Sequence, residues 1–248
     1  MTSPRRRARE LQVAEAYADG VGHVLSLVDG LDERALATMV PACPDWSVHD
    51  LVAHLAGIAL DATRGRYFDD ALSAWQSPEL AAARDAWTAG QVAARVGLEP
   101  AELVAELRAV GQGYADALRR GDPLTCRVPG WLLESPVADL AVHLDDLREA
   151  LGVPPEPSLV TDTGFAGFRG WLASRIAVTG LAPLRMSDGT AEWVLGGDAP
   201  AGASVVGSQH ELFRVISGRR GLTEIAALSW EGDSTPYLAV LSPYPMPE

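Results

Sequence analysis

Lysine is missing altogether: all 20 basic residues are arginine. With 24 Gly, 17 Pro and abundant Ala, this is the mark of a GC-rich genome and carries no chemistry. Cysteine is scarce as well. Two residues, Cys43 and Cys126, cannot build the disulfide framework of a secreted domain, so both read as reduced thiols of a cytoplasmic protein. No apolar run approaches the ~18 residues that a membrane span requires. The Arg cluster near the N-terminus is followed by Glu10, Glu15 and Asp19 rather than by an apolar stretch, which makes it a solvated helix start and not a signal peptide. Positive charge is in deficit: the net charge of −13 repels phosphates and no basic stripe opposes it. Nucleic acid is therefore not an expected partner, and without a long apolar run neither is a membrane. There is no internal repeat and no long low-complexity segment.

What is present is a chain of 248 residues, 48% hydrophobic, enough for one large domain or two of ordinary size. Its first part is helical in pattern. A helix is expected over 5–29, stopped by Gly30, followed by a helical turn near 33–39. PACPDW reads as a rigid turn. Ser47 and Asp50 form a capping box, so a helix starts at Val48 and should run to about Phe68, with Val48, Leu51, Leu55 and Ile58 as its apolar stripe. Ser77–Pro78 opens a helix to about 96, and Pro100 another to about 120. GDPLTCRVPGW reads as a loop, and Pro136 as the start of a helix that Gly152 and Pro154–Pro155 end. After PPEPS the pattern changes. LRMSDG and TAEWVLGG read as strands joined by a turn at Asp188–Gly189, ASVVG as a third strand, and a helix starts at Ser208. Residues 1–153 are therefore expected to form a helical bundle and residues 158–248 a smaller α+β domain.

Of the five histidines, His23, His49 and His210 have no evident partner. His143 follows Asp139 by four residues, which on a helix places imidazole and carboxylate on neighbouring turns. His54, on the helix after PACPDW, can supply a third ligand. Two imidazoles and one carboxylate suit catalytic zinc and leave a position open for water or a thiolate. The spacing allows a plainer reading too. Asp139 lies off the Val137/Leu140/Leu144 stripe and shares a face with Asp146, as a solvated polar face would.

Three segments carry a family resemblance. CPDWSVHDLVAHLAG, DLAVHLDDLREALG and ELFRVISGRRGLTEIAALSWEGD resemble, in order and spacing, the signatures of the mycothiol-dependent maleylpyruvate isomerase family, within the DinB-like superfamily. The resemblance spans residues 10 to 233. It implies a DinB-like four-helix bundle followed by a sterol-carrier-like α+β domain. It also implies a divalent metal, zinc, held by His54, Asp139 and His143, with mycothiol as cosubstrate. The family's acidic ligand is often Glu; Asp139 is one methylene shorter.

The expected activity is isomerisation or thiol S-transfer on a small anionic substrate. Three residues are candidates for the chemistry. Asp146 could support a ligand or pair with a cation, and Arg219 and Arg220 could fork an anionic group. The alternatives for these are a solvated carboxylate and a cation-stabilised helix end. Cys43, before Pro44 in a turn expected to be buried, reads as inert, and Trp46, Trp87 and Trp131 as packing residues. Two other functions fit the same scaffold: a non-catalytic carrier of a small or apolar ligand, and a hydrolase using metal-activated water. A monomer and a homodimer are equally compatible with the sequence.

Overall fold

The computed structural model describes residues 3–68 and 78–243; Ser77, named above as a helix start, lies outside them, as does the side chain of Trp131. The chain divides into two compact units, Met1–Gly164 and Phe165–Glu248.

In the first unit, α1 (Pro4–Val28), α3 (Val48–Thr63), α5 (Pro100–Arg120) and α7 (Gly130–Leu151) form a four-helix bundle. α1 packs on α5 and α7, and α3 packs on the same two, closing the ring. α4 (Pro78–Ala93) lies against α3 from outside that ring. Short helices α2 (Glu33–Leu36) and α6 (Pro123–Cys126) sit in the connections. The packed faces are the apolar stripes read from sequence: Val48, Leu51 and Leu55 of α3 and Val137, Leu140 and Leu144 of α7 are all buried.

PACPDW is more than a turn. Met39–Val40 (β1) and Cys43–Ser47 (β2) pair as a short antiparallel ribbon, with Val40 opposite Cys43. The capping box then starts α3: Ser47 Oγ accepts from the Asp50 amide at 3.2 Å, and the Asp50 carboxylate accepts from the Ser47 amide at 3.0 Å. α3 ends at Thr63, earlier than expected, where Gly65 turns at φ +68°. α7 corrects another boundary, because it begins at Gly130 and takes Pro136 into its interior. A proline there lacks the amide that would reach back four residues. The Ser135 hydroxyl takes over, donating to the Leu132 carbonyl at 3.0 Å.

Gly20 lets α1 close on its neighbours: a Cβ there would meet the side chains of Leu140 and Val160 at 2.7 Å. Alanine in a helix gains at most about 1 kcal/mol over glycine, while overpacking costs about 1–3 kcal/mol. Gly20→Ala is therefore expected to lower the urea midpoint of unfolding, against the direction that propensity alone dictates.

The division between the units falls within α8 (Leu159–Thr179), a helix that the sequence reading did not name. The second unit holds a four-stranded sheet in the order β4 (Glu192–Leu195), β3 (Leu184–Ser187), β5 (Ala203–Val206), β6 (Ser229–Gly232). β3 and β4 form the expected hairpin, with Asp188 Oδ1 accepting from the Thr190 and Ala191 amides in the connection. β5 runs parallel to β3, and the unexpected β6 antiparallel to β5. α9 (Gln209–Ile216) buries Leu212, Phe213, Val215 and Ile216, and the rings of Phe165, Phe168, Trp193 and Phe213 form an aromatic cluster. α10 (Leu222–Ala226) and α11 (Thr235–Leu238) complete the α+β unit. Among the described residues no helix is long and apolar enough to cross a membrane.

Candidate metal centre

α3 and α7 bring together His54, Asp139 and His143, whose donor atoms all lie within 4.8 Å of one another. Asp139 is the hub. His54 Nε2 stands 3.2 Å from its Oδ2, and His143 Nε2 3.6 Å from its Oδ1. The two histidine rings meet nearly edge to face, with centroids 5.2 Å apart. Both imidazoles are buried, at 2% and 7% exposure, while the Asp139 side chain keeps 26%.

The opposite nitrogen of each ring is anchored. His143 Nδ1 lies 2.9 Å from Asp146 Oδ2, and His54 Nδ1 lies 2.9 Å from Gln91 Oε1. A carboxylate only accepts hydrogen bonds, so His143 donates through Nδ1 and turns Nε2 toward Asp139. Each Nε2 therefore confronts an acceptor-only group. A proton or a metal cation is needed to make those approaches favourable. The two nitrogen–oxygen separations, 3.2 and 3.6 Å, bracket the roughly 3.3–3.4 Å that parts ligands held ~2.0–2.1 Å from a tetrahedral zinc.

Burial pulls the pKa of His143 down. The charge of Asp139, hydrogen bonds to Asp146 and Cys43 and the charge of Asp146 overcome it and raise the value to about 10. Without a metal, this ring is thus held as an imidazolium between two carboxylates.

Asp146 is not on a solvated face. It is fully buried, and its contact with His143 is that of an orienting partner. Cys43 is half-buried rather than enclosed, and forms a second trio with His143 and Asp146, again with donors within 4.8 Å. Cys126 answers to the inert description: burial, with the charge of Glu10, pushes its thiol up to about 11. Trp46 does not only pack; its ring centroid stands 5.0 Å from that of His54 and 6.3 Å from that of His143, so it shelves the centre from the ribbon strand β2.

Arg219 and Arg220 belong to the second unit, just past the end of α9. Arg220 forks Glu211 at 3.0 and 3.1 Å, and Arg219 Nη1 donates to the Ser217 carbonyl at 2.9 Å. An anionic ligand at Arg220 would have to displace Glu211.

Three residues in or near the centre escaped the sequence reading. Gln91 of α4 and Asp61 of α3 are joined by a 2.8 Å hydrogen bond from Gln91 Nε2 to Asp61 Oδ2. The signal for Asp61 was present, as a carboxylate in an apolar helical run seven residues past His54. Gln91 comes from a different helix and no spacing announces it. Tyr17 of α1 was missed too. Its hydroxyl is buried without a hydrogen-bond partner among the described residues. Burial, and then the negative charge of Asp139, raise its pKa.

A sequence profile of the mycothiol maleylpyruvate isomerase N-terminal domain matches residues 17–148. No curated protein sequence gives a match. Among solved structures, a histidine-to-alanine mutant of the mycothiol-dependent maleylpyruvate isomerase is similar at 15% identity, with a TM-score of 0.57 over 93% of this chain and 96% of that one. A second structure of a mycothiol-dependent maleylpyruvate isomerase is similar at 17% identity, with a TM-score of 0.54 over 88% of this chain and 92% of that one. At such identities the structures establish a shared fold over nearly the whole chain, and the profile, which covers more than half of it, establishes kinship: the chain belongs to the mycothiol maleylpyruvate isomerase N-terminal domain family.

Proposed function

We propose that this protein is a metal-dependent thiol enzyme. In this reading zinc is held by His54, Asp139 and His143, and mycothiol serves as cosubstrate in isomerisation or S-transfer on a small anionic substrate such as maleylpyruvate. The observation that carries it is the convergence of two anchored imidazoles on one carboxylate. When bound, a divalent cation keeps a coordinating thiol deprotonated at neutral pH, and reversible addition of such a thiolate to an activated cis double bond permits rotation and elimination as the trans isomer.

The chain's own residues prepare that chemistry. Asp146 holds the Nδ1 proton of His143 and aims Nε2 at the centre. Asp139 contributes negative charge between the two rings, and its partial exposure marks the side from which a ligand can approach. Trp46 covers the rings and limits water around them. Cys43, half-buried beside His143, donates or accepts only weakly and is not assigned the nucleophile's role.

The test is turnover of maleylpyruvate by zinc-loaded protein with and without mycothiol. Isomerisation only when both are present is the expected result. Turnover with zinc but without any thiol would replace this reading by metal-activated water. No turnover of maleylpyruvate or of other cis-unsaturated acids under any of these conditions would remove it.

A further inference from the structure

On α3, His54, Gly57 and Asp61 follow one another at steps of three and four residues, so they share one face. Gln91 of α4 is laid across that face. Its Oε1 meets His54 Nδ1 at 2.9 Å and its Nε2 donates to Asp61 Oδ2 at 2.8 Å. Gln91 and Asp61 are both buried, at 6% and 9% exposure. Gly57 admits the amide: a Cβ there would stand 2.5 Å from Gln91 Cβ. The end of α4 is tied down as well, since Arg95 donates to the Gln91 carbonyl at 2.9 Å and forks Glu106 at 3.1 and 2.7 Å. The other oxygen of Asp61 is held by Arg66 at 2.6 Å.

A glutamine amide can offer an imidazole either its oxygen or its NH2, because the two ends have nearly the same shape. Here the choice is made by Asp61. A carboxylate only accepts, so it claims the NH2 end and leaves Oε1 facing the ring. An amide oxygen also only accepts, so His54 must carry a proton on Nδ1. We propose that Asp61, acting through Gln91, holds the proton on His54 Nδ1 and thereby reserves Nε2 for the centre shared with Asp139 and His143. Gln91 and Asp61 are positioning residues. The part of this inference that concerns metal affinity rests on the metal reading above; the part that concerns the Nδ1 proton does not.

The experiment follows the 15N resonances of the His54 ring in the metal-free full-length protein, alongside zinc affinity from chelator competition. In the unmodified protein Nδ1 is expected to be protonated. Asp61→Asn has the same shape but can donate, which frees the Gln91 amide to turn over and present NH2 to the ring. Nδ1 should then become an unprotonated acceptor, and zinc binding should weaken by about 10–100-fold. The double variant Asp61→Asn/Gln91→Glu restores the polarity. The carboxylate it places on α4 accepts from both the asparagine NH2 and His54 Nδ1–H, so the Nδ1 proton and zinc affinity should both return. A merely structural hydrogen bond would not be rescued by moving the charge one link along the chain. Should Asp61→Asn fail to fold, Gln91→Met removes the amide and should leave Nδ1 protonated in only part of the molecules. A fully protonated Nδ1 in either single variant overturns the proposal. If Nδ1 responds as described but no variant, nor the parent, binds zinc, the relay stands and the metal reading falls.

Discussion

Replacing His54 with alanine is expected to abolish stoichiometric metal, from about one divalent ion per chain to a trace, while the helical circular dichroism stays nearly unchanged. The loss should be large because in the proposed site His54 is one of three donors, and even partners one step removed from a metal change affinity by about 10–100-fold. The fold should survive for a separate reason. Alanine removes a buried ring and leaves Gln91 Oε1 without its donor, a loss of about 1–3 kcal/mol. Domains of this kind have about 5–15 kcal/mol to lose. The bundle's own contacts run through Leu51, Leu55, Leu107, Leu140 and Leu144, all buried and none dependent on the imidazole. Elemental analysis of the purified variant checks the first part and far-ultraviolet circular dichroism the second. A variant that keeps full metal content would show that His54 is not a ligand.

Much of this architecture could be read from the sequence because its signals are local. The Ser47/Asp50 capping box marked the start of α3, Pro100 marked that of α5, and Gly152 the end of α7, each through chemistry confined to one turn. The readings that failed needed information from elsewhere in the chain. Pro136 looked like a helix start because a proline amide is missing wherever it sits; in α7 the Ser135 hydroxyl satisfies the Leu132 carbonyl and the buried Val137, Leu140 and Leu144 hold the helix in the bundle. β6 is four residues long and mostly exposed, so no alternation distinguishes it, and its pairing with β5 is a long-range fact. α8 carries glycines at 164, 167 and 170, which weaken any helical pattern.

The centre divides in the same way. The spacing of Asp139 and His143 is visible on one helix. His54 stands alone in the apolar pattern of another helix, where it reads as a possible third ligand that the resemblance then singles out, and the fold brings all three together. The burial of Asp146 could not be read from a helical wheel, because the wheel locates a face and not what covers it. Gln91 could not be read at all: nothing in α4 announces that its amide will lie over His54, and the glycine that makes room for it, Gly57, belongs to the other helix.

The second large effect concerns the thiol. Cobalt-substituted protein titrated with mycothiol is expected to develop an intense near-ultraviolet band of sulfur-to-metal charge transfer. The expectation rests on the donor set. Two imidazoles and one carboxylate leave a four-coordinate ion one open position, and a thiolate is a softer ligand than water, well matched to zinc or cobalt. The thiol must lose its proton on binding, so the midpoint should fall to lower mycothiol concentration as pH rises toward the thiol's own pKa. A neutral thiol lodging in an apolar pocket would instead bind independently of pH in this range. Asp139→Ala should weaken the response in proportion to metal lost, because Asp139 is the group that both Nε2 atoms face. An unchanged spectrum with mycothiol and with other small thiols, in protein shown to hold cobalt, would rule out direct thiol ligation. Hydrolysis of an ester or amide by that same sample would then assign the open position to water.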